Sequence, residues 1–227
     1  LGAPHCAAPG PICDSSRLLE GRGLVGPERN APNAIGLPCA DGDAGFFHID
    51  ESVDAIRIAT LDGSPLAVGK GVEVRVKVWS YVDFVSDALD IYVAPDAGAP
   101  EWRHVTTQAP GSEGEGTLVA RFTLGEGATQ AVRAVFRFGG TAATCTSGIY
   151  DDRDDLVFPV AAGTPDTDVP QVSIASPGPD EVLGGATTLA AIATDDRGVV
   201  NRVEFLVDGA RVATSWTSDA AGRFEAS

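Results

Sequence analysis

The sequence predicts an all-β protein: a disulfide-stapled, jelly-roll-like β-sandwich followed by a second, shorter strand set. Three observations carry that expectation. Apolar residues recur with period two along most of the chain, the pattern of strands with one buried and one wet face. The 227 residues include 27 Gly and 15 Pro and no Met, a composition that favours many short strands joined by turns. The 4 Cys form an even set that cross-links can use up.

In chain order, residues 1–38 are rich in Gly, Pro, Asn and Arg and lack periodicity. They read as an arm that lays Leu18, Leu19, Leu24 and Ile35 on a sheet without forming long strands. A turn-rich acidic loop, Cys39 to Gly45, leads to Phe46-Phe47-His48-Ile49, where strands are expected to begin. Ile56 and Ile58 share one face around Arg57. Val72, Val74, Val76 and Val78 alternate with Glu73, Arg75, Lys77 and Trp79. Leu89, Ile91 and Val93 repeat the pattern, as do Leu118, Ala120, Phe122 and Leu124, then Val132, Ala134, Phe136 and Phe138. Pro/Gly-marked turns between these runs imply antiparallel pairing in two packed sheets. Leu156 to Val160 reads as the closing strand of this first domain, residues 1–160. Residues 161–168 read as a linker. A second domain, 169–227, offers strands at Val169–Pro177, Thr187–Thr194 and Val203–Val207, a hairpin turn at Asp208-Gly209, a return strand Ala210–Thr214 and a further strand from Phe224.

Charge excludes whole classes of partner. With 32 acidic against 16 basic side chains the formal charge is -16, which opposes binding to nucleic acid or to an anionic membrane. No apolar run has the length of a membrane span. The Leu1-Gly2-Ala3-Pro4 start is not a signal peptide, and the chain is expected to be a fragment or a processed form.

Three pairings of Cys6, Cys13, Cys39 and Cys145 exist in principle. Pro9-Gly10-Pro11 reads as a turn that folds Cys6 back on Cys13, which leaves Cys39 for Cys145. Reduced thiols or a metal site are the alternative, but there is no CxxC spacing. Disulfides place the chain in an oxidising compartment.

The stretch Tyr150 to Phe158 carries Asp151, Asp152, Asp154 and Asp155 directly into an apolar strand. A disulfide holds its Cα atoms roughly 5.5 to 6 Å apart, so a Cys39–Cys145 bridge would bring Asp41 and Asp43 near these four carboxylates. Ca²⁺ takes about 6 to 8 oxygens from such groups. One structural Ca²⁺ at the sheet rim is therefore expected, with Asp41, Asp43, Asp151, Asp152, Asp154 and Asp155 as candidate ligands. In an extended chain Asp152 and Asp154 point one way and Asp151, Arg153 and Asp155 the other. A turn before Leu156 would relax that limit, and with such a turn Asp43, Asp152 and Asp155 lead the set. The competing reading is a solvated acidic rim with Arg153 as its local counter-ion.

No catalytic residues are assigned. His48, Asp50 and Ser52 supply the residue types of a nucleophilic hydrolase and would share one strand face, but no Gly-x-Ser-x-Gly elbow accompanies them. A polar strand face is the simpler reading. Trp79, Tyr81, Tyr92 and Trp102 are candidates for stacking a glycan, against the alternative of packing at a sheet edge.

Pro170 to Pro177 (Pro-x-Val-x-Ile-x-x-Pro), Asp195-Asp196-Arg197-Gly198 and Val203 to Gly209 occur in the order seen in bacterial immunoglobulin-like domains, which this segment resembles. The resemblance implies a spacer or adhesive unit in a multidomain secreted or surface protein, here without the last strands. Another set resembles a β-sandwich module appended to secreted subtilisin-like proteases and other exported proteins of myxobacterial type. It comprises Cys6 to Ser15, Gly26-Pro27-Glu28, Asn30-Ala31-Pro32-Asn33, Cys39 to Gly42, His48 to Ser52, Asp87 to Tyr92, Ala131-Val132-Arg133 and Cys145 to Phe158. That resemblance spans nearly all of residues 6–160 and implies location and architecture, not an activity. Together these readings predict a non-catalytic, Ca²⁺-stabilised accessory or spacer region, extracellular or at the cell surface. Its partners would be catalytic or adhesive domains of the same polypeptide; the alternative is a module that binds cell-surface or extracellular polysaccharide through its aromatics.

Overall fold

The computed structural model describes residues 2–22, 25–28, 33–36, 39–196, 199–200, 202–215, 218–219 and 221–226. Strands β1 (Ile12–Asp14), β2 (Ser52–Thr60), β3 (Gly71–Ser80) and β6 (Gly114–Thr123) form one antiparallel sheet in the order β1-β2-β3-β6. Strands β4 (Asp87–Ala94), β5 (Arg103–Gln108), β7 (Thr129–Phe138) and β8 (Asp152–Pro159) form a second, in the order β5-β4-β7-β8. The pairing of β4 with β5 nests inside that of β3 with β6, which gives the sandwich its jelly-roll-like character. The only helical segment among the described residues is the 3-10 turn Phe84–Ser86.

Alternation dictates the core. Ile56, Ile58, Val72, Val74, Val76 and Val78 from one sheet pack against Leu89, Ile91, Val132, Ala134, Phe136, Leu156 and Phe158 from the other. Between strands 9 and 10 residues long on facing sheets, such runs exclude water from both inner faces. Leu19 from the arm closes the same core. Ile35 instead packs on the outer face of the second sheet, with Ala131, Val157 and Trp102. Leu18 is exposed, contrary to expectation, and Leu24 lies outside the described residues.

The arm also covers an edge. β8 is the last strand of its sheet, and an uncovered edge presents unpaired backbone groups. Asp155 N donates to Asn33 O at 3.0 Å, Val157 N to Pro4 O at 2.9 Å, and Cys6 N to Val157 O at 3.1 Å. Gly42 N reaches Asp151 O at 2.8 Å. Two disulfides hold this wrapping in place: Cys6–Cys13, with Cα atoms 5.9 Å apart, and Cys39–Cys145, 5.5 Å apart.

Two strands departed from the periodic signal. β1 has three residues, of which Cys13 alone is buried, and in β5 only Val105 and Thr106 are buried, so neither carries apolar alternation. Conversely, the strand expected at Phe46–Ile49 is a turn. Ile49 N and Asp50 N both donate to Phe46 O, at 3.0 and 2.9 Å, while the Asp50 carboxylate accepts from Phe46 N at 2.9 Å. A carboxylate that satisfies local backbone donors competes with sheet pairing and wins here.

Beyond residue 168, β9 (Gln171–Ser176), β10 (Leu189–Thr194) and β13 (Arg223–Ala226) form a sheet in the order β13-β10-β9. β11 (Val203–Val207) and β12 (Ala210–Ser215) form a hairpin through Asp208-Gly209, both with positive φ, as a tight two-residue turn requires. Ala191, Ala193, Val203 and Phe224 make the small core of this part. No described helix is long and apolar enough to cross a membrane.

Candidate functional site

β8 enters the sandwich with its acidic end first. Because the strand is already extended at Asp152, side chains alternate: Asp152 and Asp154 point to the inner face with Leu156 and Phe158, while Arg153, Asp155 and Val157 point outward. The turn assumed before Leu156 does not exist, and the carboxylates are not at a solvated rim. Asp151, Asp152, Asp154 and Asp155 are all buried.

The outward group is fully paired. Asp155 receives Arg133 in a two-pronged contact, Nε to Oδ1 at 2.8 Å and Nη2 to Oδ2 at 2.9 Å, and also Ile35 N at 2.7 Å. Arg133 in turn stacks over the Trp102 ring, 4.3 Å from its centroid. Asp151 accepts from Phe138 N at 3.2 Å and Gly148 N at 3.1 Å and lies 3.6 Å from Arg153. The Arg153 guanidinium is committed to Ala40 O and to Thr146. Asp43, expected among the leading ligands, is exposed, and Asp155 is held by Arg133; neither joins the inner group.

That inner group consists of Glu28, Asp152 and Asp154, which bring carboxylate oxygens within 4.8 Å of one another. Asp41 adjoins it as a further carboxylate whose charge acts on Asp152, and its Oδ1 accepts from Arg153 N at 3.1 Å. Asn33 donates its Nδ2 to Glu28 Oε2 at 2.7 Å. Asp152 Oδ2 accepts from Val53 N at 2.6 Å, but its Oδ1, both oxygens of Asp154, Glu28 Oε1 and Asn33 Oδ1 receive no hydrogen bond. One fully buried guanidinium, Arg22, faces the group with Nη1 3.8 Å from Asp152 Oδ1. Gly45 leaves it room, since a Cβ there would overlap Arg22 Nε.

Removing ionised carboxylates from water is costly, and their mutual repulsion adds to the cost. Burial first, then the charges of Asp41 and Glu28, push Asp152 well above the ordinary carboxylate range. Burial, then Glu28 and Asp152, do the same to Asp154. Burial followed by the charge of Asp41 raises Glu28 to about 8. Such a set either keeps protons or shares a cation.

Glu28, Asn33 and Arg22 escaped the sequence reading as site residues. Glu28 and Asn33 belong to the Gly26-to-Asn33 motif quoted above, but nothing in their spacing connects them to β8.

The hydrolase residue types are arranged differently from a triad. His48 sits in a turn with φ 55°, and its Nε2 lies 2.9 Å from Asp54 Oδ2, while Ser52 Oγ donates to Asp54 Oδ1 at 2.8 Å. Asp54 therefore takes both partners, and Ser52 is aimed at a carboxylate instead of an imidazole. The His48 ring is stacked between Phe47 and Trp79, with centroids 3.9 and 4.4 Å away. Tyr92 is buried, Trp102 is covered by Arg133, and Tyr81 alone of the four candidate aromatics is well exposed, at 41%. These rings do not form one platform.

A solved structure described as fibronectin(III)-like modules of Clostridium thermocellum CbhA matches with 19% identity over 74% of this chain and 77% of that chain. The TM-score of that match is 0.25. No curated protein matches. Residues 170–227 match the family described as Bacterial Ig domain, so the second strand set, with its two small sheets, has the sequence pattern of an immunoglobulin-like module.

Proposed function

We propose that the chain is a non-catalytic accessory and spacer region of an exported bacterial protein, such as a secreted subtilisin-like protease, another hydrolase or an adhesin. It comprises a Ca²⁺-stabilised sandwich over residues 1–160, a linker over 161–168 and an immunoglobulin-like module over 169–227. The observation that carries this reading is the match of residues 170–227 to bacterial Ig domains, directly following a sandwich closed by two disulfides. Disulfides persist in oxidising compartments, which supports an extracellular or cell-surface location. The shared capture of His48 and Ser52 by Asp54 favours a structural use of those residues over hydrolysis.

Limited proteolysis of the purified chain tests the division. Cleavage is expected first between Ala162 and Asp168, yielding two fragments that each melt cooperatively. First cleavage within residues 70–140 would contradict it. On the same sample, a serine-directed phosphonate probe should leave Ser52 unlabelled, and a glycan array should be blank. Glycan binding lost on Tyr81→Ala would move the reading to a carbohydrate-binding module.

A further inference from the structure

Three carboxylates come close enough to share a cation, with oxygens within 4.8 Å of one another, in two places among the described residues: Asp166 with Asp195 and Asp196, and Glu28 with Asp152 and Asp154. The first group is partly open to water, with Asp196 exposed. The second is sealed. Asp152 and Asp154 have no exposed surface and Glu28 is 8% exposed. Bulk solvent therefore does not reach the acceptor oxygens left over inside.

Those oxygens are specific atoms. Both oxygens of Asp154, Oδ1 of Asp152 and Oε1 of Glu28 accept nothing from the protein, and the amide oxygen of Asn33, beside Glu28, is likewise unused. Buried acceptors are normally paired, so several unpaired acceptors in one group point to a missing electrophile. Arg22 does not fill that role, since none of its guanidinium nitrogens makes a hydrogen bond and its nearest approach to Asp152 is 3.8 Å.

We infer that Glu28, Asp152 and Asp154 bind one Ca²⁺ inside the first sandwich, with Asn33 Oδ1 as a neighbouring oxygen. The donors are all hard oxygens, with no imidazole or thiolate in the group, which selects an alkaline-earth ion over a transition metal. An uneven, largely protein-made oxygen set suits Ca²⁺, whereas Mg²⁺ demands a near-octahedral site and holds its waters. The ligands come from separate parts of the chain: Glu28 from the arm, Asp152 and Asp154 from β8. The ion thus pins the arm onto the strand whose edge that arm covers, beside the Asp155 N to Asn33 O bond. This assignment rests on the reading of the first sandwich as an extracellular, cation-stabilised module, because Ca²⁺ is abundant only there.

The full chain, stripped with EGTA and desalted, decides the matter by native mass spectrometry and thermal melts with added CaCl₂ or MgCl₂. One Ca²⁺ per chain and a rise in Tm on the order of 5–10 °C at saturating CaCl₂ are expected, with a clearly smaller response to MgCl₂. Glu28→Gln and Asp154→Asn should abolish both the added mass and the rise, while Asp166→Asn and Asp43→Asn should keep them. Amide exchange should quicken around residues 28–35 and 152–155 on Ca²⁺ removal in the wild type. No bound Ca²⁺, an undiminished response in Glu28→Gln, or a response lost in Asp166→Asn overturns the assignment. Glu28 lies outside any strand, so its variant carries the test even if Asp154→Asn does not fold. The accessory role is read from proteolysis, probe labelling and glycan binding, so a failure here leaves it standing.

Discussion

The first sandwich and the immunoglobulin-like segment are built from the same apolar alternation, yet they bury it to very different degrees. In the first, Ile56, Val74, Ile91 and Phe136 have no exposed surface, because each sheet faces another four-stranded sheet. In the second, Val172 and Ile174 on β9 are 65% and 78% exposed, although they share a face with the buried Ala191 and Ala193 across the ladder. Alternation thus specifies which residues could be buried, while burial itself requires a second layer over them. The polar interior differs as well. Buried carboxyls and guanidinium groups occur only in the first sandwich among the described residues, and the immunoglobulin-like segment buries Ser215 as its sole polar residue.

The largest expected contrast comes from the cross-links, both of which belong to the first region. Replacing Cys39 and Cys145 together by Ala removes a bridge of sequence separation 106 and should cost on the order of 4–5 kcal/mol in the loop-entropy account. Replacing Cys6 and Cys13, separated by 7 residues, should cost about half as much. Denaturant unfolding followed by fluorescence and circular dichroism should show only the first sandwich's transition moving. A shift in both would mean that the regions unfold as one unit.

Truncation of matching aliphatic side chains sharpens the comparison. Ile91→Ala opens a cavity between two sheets and should destabilise by about 2–4 kcal/mol. Ile174→Ala, already solvated, should change stability by less than ~0.5 kcal/mol. Equal effects in the denaturation midpoint would show that β9 is covered in solution.

The smallest of the three contrasts between the regions is one of pH. Asp87 and Glu51 are both 2% exposed and face each other; burial, then the charge of Glu51, raises Asp87 to about 8. Asp83 adds a further negative charge. A carboxyl whose folded pKa is raised binds its proton more tightly when folded, so stability falls as pH climbs from about 4 to about 8. Asp87→Asn should therefore be close to neutral at pH 4 and stabilising by roughly 2 kcal/mol at pH 8.5, in the first transition only. A gain independent of pH in the melting curves would show that Asp87 is not the titrating group.

Much of this architecture was legible because period two is a local property. β2, β3, β4, β6 and β7 follow directly from runs such as Val72 to Val78, and Asp208-Gly209 announces its hairpin. Parity also held the key to the acidic stretch. Asp152, Asp154, Leu156 and Phe158 occupy one face, so a continuous strand must turn two carboxylates inward. An expected turn at the sheet rim obscured this, because isolated carboxylates belong in water and nothing local offered a reason to bury them. What the amino-acid order alone determined was the all-β class, most of the strands and which side chains share a face, since those depend on neighbours one and two positions away. Tertiary structure alone decided that Glu28, Asn33 and Arg22 meet β8, that Arg133 takes Asp155 out of the group, and that Asp43 stays in solvent. Each of these contacts joins residues with more than twenty positions between them or depends on which face the folded arm covers. Charge and burial at such distances are fixed by packing, which no local pattern encodes.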